Sequence, residues 1–318
     1  MIIQKKLISR NKKKVKNIQN MLIVGIGEIV WDIFPDGPQL GGAPANFIYY
    51  SHLLGVKSIL VSRIGKDSLG DATLNKFKRY NLSTRYIQVD NIHPTGTVNV
   101  KLNSNGKPKF IIRENAAWDF LEKNISLSHL AKKASVVYFG TLAFRSPISR
   151  STIEWFLNQI EPNCIRVLDI NLRPPYFSKE LINLLLQIAD VLKLNEEELE
   201  ILSSSFSWDI KDKIEILRFL LNTYSIKLIA LTKGEKGSYL ITKENFYSHP
   251  GFPVKTVDTV GAGDAFTAGL AIGLLKGEEL EKINLKANWL ASRVCTKRGA
   301  WVEIDKFTLE INDEMIGK

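Results

Sequence analysis

Short apolar runs recur along this chain with helix-length segments between them. That alternation constrains the fold more than any other feature. Residues 22–27, 58–62, 136–139, 167–170, 191–194 and 228–232 read as strands. Residues 45–54, 71–80, 149–160, 179–189 and 211–223 read as helices. Strands that are apolar throughout are buried on both faces, which predicts a mostly parallel sheet covered by helices on each side. In such sheets ligands bind beyond the carboxyl ends of the strands. With 318 residues, 45% of them apolar, the chain can bury one large core with a small addition.

Two segments break the pattern. Residues 30–40 are short and irregular. Residues 97–113 alternate through Val98, Val100, Leu102, Phe110 and Ile112 around Asn103-Ser104-Asn105-Gly106, which predicts a hairpin.

Composition removes several function classes. No apolar run is long enough to span a membrane. Cys164 and Cys295 lack metal or redox spacing and read as thiols of a reducing, cytoplasmic compartment. The four histidines are scattered, and neither a P-loop nor a nucleophile elbow occurs. The net charge of +10 is concentrated at one end. Residues 1–20 carry seven Lys and Arg and no acid, and the remainder holds 36 basic against 33 acidic residues. The tail is expected to be a disordered extension or a stretch ahead of a true start at Met21, and not a nucleic-acid contact.

The densest chemistry lies in Asp258-Thr259-Val260-Gly261-Ala262-Gly263-Asp264, followed by a proline-free run of small and apolar residues. A small-residue turn that opens a helix aims the amides of Gly261, Ala262 and Gly263 into one concavity, an anion hole. Asp264 at its edge suggests a base beside a phosphate. The plain alternative is a glycine-rich turn with a capping Asp.

A second constellation is Gly41-Gly42-Ala43-Pro44-Ala45-Asn46, followed by Gly55 and Gly65. Together the two stretches resemble the N- and C-terminal signatures of the ribokinase-like (PfkB) carbohydrate kinases, in the right order. Ile48 departs from the pattern, which usually has a small residue there. The resemblance covers residues 21 to about 304. It implies a three-layer α/β/α sandwich with a small β lid formed by residues 30–40 and 97–113, which closes over the sugar and can join two subunits in a homodimer.

The resemblance also implies roles. Asp32 would bind two sugar hydroxyls, Gly42 would let the sugar approach the backbone, and Asn46 would donate and accept. Turn and helix caps are the plain alternatives for Asp32 and Asn46. Arg113, in a block through Asp119 similar to the bacterial fructokinase branch, would reach the sugar from the lid. Arg173, in Asp169-Ile170-Asn171-Leu172-Arg173, would clamp the sugar or the transferred phosphate. Either arginine could instead form a surface ion pair. Asn195 and Glu198 would hold magnesium–phosphate through water, although an acidic first helical turn is favourable by itself. Thr232, Gly234 and Gly237 would border the nucleotide, Asn288 would lie near the adenine, and Asp258 would serve a monovalent cation, K⁺.

The implied function is ATP- and Mg²⁺-dependent phosphorylation of a primary hydroxyl, D-fructose first, with Asp264 as base. Two rivals stand beside it. One is the same chemistry on 2-keto-3-deoxygluconate, ribose or a nucleoside. The other is a non-catalytic regulatory protein on the kinase fold. No nucleic-acid or membrane partner is expected.

Overall fold

A computed structural model describes residues 21–35, 37–102 and 108–304. The basic tail and the turn at 103–106 lie outside the described residues. The first half of the chain runs β1 (Leu22–Ile26), β2 (Val30–Phe34), β3 (Gly37–Gly41), α1 (Ala43–Leu53), β4 (Lys57–Gly65), α2 (Ser68–Arg79), β5 (Ile87–Asp90), β6 (Gly96–Leu102) and β7 (Pro108–Ile112). It continues through α3 (Ile125–Ala131), β8 (Val136–Gly140), α4 (Pro147–Leu157), β9 (Ile165–Asp169), α5 (Lys179–Ile188), β10 (Val191–Asn195), α6 (Glu196–Phe206) and α7 (Lys213–Thr223). The last part holds β11 (Leu228–Thr232), β12 (Ser238–Ile241), β13 (Phe246–His249), α8 (Ala262–Lys276) and α9 (Leu280–Cys295).

The large sheet has the order β13-β12-β11-β10-β9-β8-β1-β4-β5. It is parallel from β11 to β5, and the antiparallel pair β12 and β13 forms one edge. Strands such as β1 and β8 are buried at every position, as their unbroken apolar sequences require. One core lies on each face: Leu168, Leu185 and Leu217 belong to one, Phe47, Tyr138 and Leu270 to the other. Strand order departs from β1 in both directions, so the β1/β8 boundary is the topological switch point. That is where a ligand crevice forms in such sheets.

The second sheet has the order β3-β2-β6-β7. β2 is antiparallel to β3 and parallel to β6, and β6 is antiparallel to β7. Segment 30–40 is therefore a regular hairpin, paired from Val30–Gly41 to Phe34–Gly37, and not irregular chain. Pro35, Gly37 and Pro38 hide its strand character in the sequence, since these residues usually signal turns. The indole of Trp31 pins this small sheet to α2, donating to Thr73 Oγ1 at 2.9 Å and to the Leu69 carbonyl at 3.1 Å.

Helix boundaries shift by a few residues for local reasons. α1 begins at Ala43 because Pro44 suits the first turn and Gly42 takes a φ of 100° ahead of it. α2 begins at Ser68 because Asp67 caps it, accepting from the Gly70 amide at 2.8 Å.

Candidate active site

The carboxyl ends of β1, β8, β9 and β10 converge on the N-terminus of α8. Gly261 caps that helix in the left-handed conformation, with φ 80° and ψ −8°. A methyl group there would lie 2.7 Å from the Ala300 carbonyl oxygen. Both the dihedral and the contact demand glycine. Gly261→Ala is expected to cost at least ~1–2 kcal/mol. At about 2–4 °C per kcal/mol this lowers the melting temperature by several degrees. A circular-dichroism melt within about 1 °C of the parent would contradict that constraint.

The three consecutive amides expected from the sequence to form an anion hole differ in their backbone bonding. The Ala262 N–H is turned back to the Thr259 carbonyl at 3.2 Å. A turn this tight closes on its own backbone, and among the described residues the Gly261 and Gly263 amides have no such turn partner.

Asp264 follows in the first turn of α8. Its Oδ2 accepts from Asn46 Nδ2 at 2.8 Å, joining residues 218 positions apart. Desolvation and the charge of Asp169 push its carboxyl up to about 7, against the opposing pull of Asn46, Lys193 and Arg173. A carboxylate tuned to neutrality suits a general base at physiological pH.

Asn46 does not cap α1. It lies within the helix, is buried, and accepts at Oδ1 from the Trp301 indole at 2.9 Å. Its oxygen and one amide hydrogen are thus committed inside the protein, and one N–H remains for a ligand. Asp32 sits on β2, with Oδ2 2.8 Å from the place a methyl would take at Gly41. Desolvation raises its carboxyl to about 6, with Arg173 lowering it and Asp258 raising it. Gly42 is equally confined, since a methyl there would meet the Glu28 carbonyl oxygen at 2.8 Å.

Arg173 is exposed just past β9 and bonds the Leu172 carbonyl at 3.1 Å. Its charge lowers the pKa values of Glu28, Asp32, Asp169 and Asp264 alike, so it faces the site and not an isolated surface partner. Arg113 is exposed beyond β7, where its amide bonds the Thr97 carbonyl at 2.9 Å. The block from Arg113 to Asp119 is held by Arg145. That guanidinium bonds Asp119 at 2.7–2.9 Å and the Arg113 carbonyl at 2.5 Å, and it stacks between Trp118 and Tyr176, 4.1 and 4.7 Å from their ring centroids.

Asn195 and Glu198 form a reciprocal capping box at the start of α6. Asn195 Oδ1 accepts from the Glu198 amide and Glu198 Oε2 from the Asn195 amide, each at 2.8 Å. The acidic first turn weighed for this segment is present as Glu196, Glu197 and Glu198, with the capping box added to it. Thr232 ends β11, and Gly234 and Gly237 form the turn into β12, both at positive φ. Asn288 is buried on α9. Its amide nitrogen donates to Ser238 Oγ at 2.7 Å and to Asn284 oxygens at 2.7 and 3.0 Å, tying α9 to β12. These bonds engage its NH₂ group. Asp258 accepts from the Val260 amide at 3.1 Å and the Gly299 amide at 2.9 Å, which fastens the turn before α8 to the segment after α9.

Several site residues are absent from the sequence reading. Lys193 on β10 is 7% exposed and bonds Asp169 Oδ1 at 3.1 Å. Its Nζ lies 3.1 Å from where a methyl of Gly263 would stand, directly against the first turn of α8. Burial opposes its charge, but Asp169, Glu198 and Asp264 outweigh burial and hold its pKa above the ordinary value. The signal was a lone lysine inside the otherwise apolar strand Val191-Leu192-Lys193-Leu194. Glu28, just past β1, is also buried. Desolvation and the Asp264 charge push its carboxyl up to about 7, against its own and the Ala43 amides and Arg173, and Oε2 has no hydrogen-bond partner among the described residues.

Comparison with known proteins agrees with this fold. The sequence model of the pfkB family carbohydrate kinases matches residues 38–306. An uncharacterised sugar kinase of Pyrococcus horikoshii is 32% identical over 301 residues, 88% of this chain and 92% of that protein. Its crystal structure superposes with a TM-score of 0.75, covering 92% of this chain and 98% of the other. A fructokinase of Zea mays is 30% identical over 308 residues, 88% of this chain and 90% of that protein. The fructokinase of Vibrio cholerae solved with fructose, ADP and calcium shares the fold at a TM-score of 0.77 and 24% identity, covering 91% and 98% of the two chains. A ribokinase-like α/β sandwich with a small second sheet, both family signatures at one helix terminus, and a family match across most of the length lead to one assignment: this chain belongs to the pfkB family of carbohydrate kinases.

Proposed function

We propose that the protein transfers the γ-phosphoryl group of ATP to the primary hydroxyl of a hexose, D-fructose foremost. The observation that carries this reading is the placement of Asp264, tuned to about 7, beside the Gly261 and Gly263 amides at the N-terminus of α8. Asp264 takes the hydroxyl proton as that oxygen bonds to phosphorus and the bond from phosphorus to the ADP oxygen breaks. The two amides, the Lys193 ammonium and the Arg173 guanidinium stabilise the charge on the phosphoryl oxygens. Positioning and electrostatics supply most of the rate.

The residues present fit the expected ions. Glu198 offers one hard carboxylate oxygen beyond its capping bond, and Asn195 offers a neighbouring amide, a donor set suited to magnesium that keeps most of its waters. Bound there, magnesium would neutralise charge on the nucleotide phosphates. Asp258, held between Val260 and Gly299, is proposed for the monovalent cation, K⁺.

Fructose is favoured by the fructokinase of Zea mays among the relatives and by the block from Arg113 to Asp119. Asp32, Asn46 and Arg113 are proposed as sugar readers, and the small sheet as the lid, with its outer face available for a second copy of the chain. Among the described residues no helix is long and apolar enough to cross a membrane, and we place the enzyme in the cytoplasm.

ADP release measured over fructose, ribose, adenosine and 2-keto-3-deoxygluconate tests the acceptor. Fructose is expected to lead. A site built to bond hydroxyls rejects acceptors that leave its polar groups unpaired. Asp32→Ala is expected to raise the sugar KM at least about tenfold while leaving the ATP KM within about twofold. Preference for another acceptor retains the kinase and removes fructose. Absence of phosphoryl transfer to any acceptor would favour the regulatory protein.

A further inference from the structure

Trp301 lies on the segment after α9, far from the family signatures in sequence, yet it is two hydrogen bonds from Asp264. Its indole N–H donates to Asn46 Oδ1 at 2.9 Å, and Asn46 Nδ2 donates to Asp264 Oδ2 at 2.8 Å. Trp301 is 8% exposed and Asn46 4%, so water does not readily replace either bond. The ring is fixed independently of this link. It stacks on Tyr49 with centroids 4.6 Å apart and planes at 13°, and packs against Phe77 and Tyr80. The backbone around it is fastened to α1 as well. Tyr50 Oη donates to the Ala300 carbonyl at 2.6 Å, and Tyr49 Oη donates to the Val302 carbonyl at 3.1 Å.

The chemistry of the three groups gives this chain of bonds a direction. An amide presents an oxygen and an NH₂ of nearly the same size and can flip between them. An indole only donates. The Asn46 atom facing Trp301 is therefore oxygen, and the atom facing Asp264 is the NH₂. That orientation stabilises the ionised carboxylate. The flipped amide would set its oxygen against a carboxylate oxygen, an arrangement tolerable only with Asp264 protonated and useless as a base.

We propose that Trp301 is a positioning residue for phosphoryl transfer: it locks the Asn46 amide so that Asp264 is kept in its proton-accepting form. The inference rests on Asp264 being the base of the kinase reading. Other groups set the field on that carboxyl. They are Asp169 from β9, Lys193 from β10, Arg173 beyond β9, Glu28 beyond β1, Tyr50 from α1 and Tyr138 from β8. None of these depends on the indole nitrogen, so removing that one atom isolates the relay.

Trp301→Phe keeps the stacked ring and removes the donor. Its acid limb of kcat is expected to move up by about half to one pH unit, so that kcat at pH 6 falls about three- to tenfold. At pH 8.5 kcat stays within about twofold and the ATP KM is unchanged. A limb at the parent position, or an equal loss at every pH, overturns the proposal. A second measurement needs no acceptor. The Trp301 indole N–H resonance, identified by its loss in Trp301→Phe, is expected to shift with a midpoint near 7 in the parent and to stay fixed in Asp264→Asn. A resonance that does not titrate in the parent, or titrates alike in both proteins, likewise overturns it. A parent that phosphorylates no sugar defeats the kinase reading instead, and the resonance then decides the relay alone.

Discussion

Asp264→Asn is expected to lower kcat by about 10²–10⁴-fold while ATP still binds. The substitution preserves shape and the partnership with Asn46 but removes the proton acceptor. Nucleotide binding survives because the Gly261 and Gly263 donors are backbone. Isothermal titration with ATP and steady-state turnover separate the two effects. A turnover within about threefold of the parent would remove Asp264 from the role. The parent's pH dependence has a defined sign. Desolvation and Asp169 raise the Asp264 carboxyl to about 7, so it is protonated below that pH and ionised above it. A base works only ionised, so kcat falls about tenfold per pH unit below the folded pKa. A carboxylate at its ordinary value near 4 would keep the rate level down to about pH 5.

Lys193→Met is expected to damage both stability and turnover, and a double variant separates them. Lys193 and Asp169 are both buried and bonded at 3.1 Å. Removing one partner strands the other charge, which costs about 3–5 kcal/mol. At about 2–4 °C per kcal/mol, the melting temperature falls by more than about 6 °C. Combining Lys193→Met with Asp169→Asn removes both charges and should restore most of that loss. Turnover should nonetheless stay down by about 10²-fold or more, because the ammonium against Gly263 no longer meets the phosphoryl charge. If the double variant recovers activity along with stability, Lys193 serves only to neutralise Asp169.

The same contrast shows what was legible beforehand. β1, β8, β9, β10 and β11 announce themselves because buried parallel strands read as short, mostly apolar runs, unbroken in β1 and β8 and interrupted by Arg166 in β9 and Lys193 in β10. The hairpin of β2 and β3 did not, because Pro35, Gly37 and Pro38 imitate a loop until β6 supplies a partner. Asp264, Gly261 and Gly263 were visible as a local motif, since a turn and the helix it opens are made by neighbours in sequence. The bonds of the Asn288 NH₂ to Ser238 and Asn284, which join α9 to β12, were not legible, because their partners lie on separate elements.

Local order therefore determined the layers of the sandwich and the residues at the α8 terminus, through apolar patterning and the conformational freedom of glycine. The tertiary structure alone decided how that terminus is tuned. Lys193 and Asp169 come from adjacent strands separated by a whole helix, Glu28 from the far side of the switch point, and Trp301 reaches Asn46 across 255 residues. A charge or hydrogen bond acts through a few ångströms of space, whatever the separation along the chain. For that reason the pKa of Asp264 and the orientation of the amide beside it belong to the folded molecule and not to any one motif.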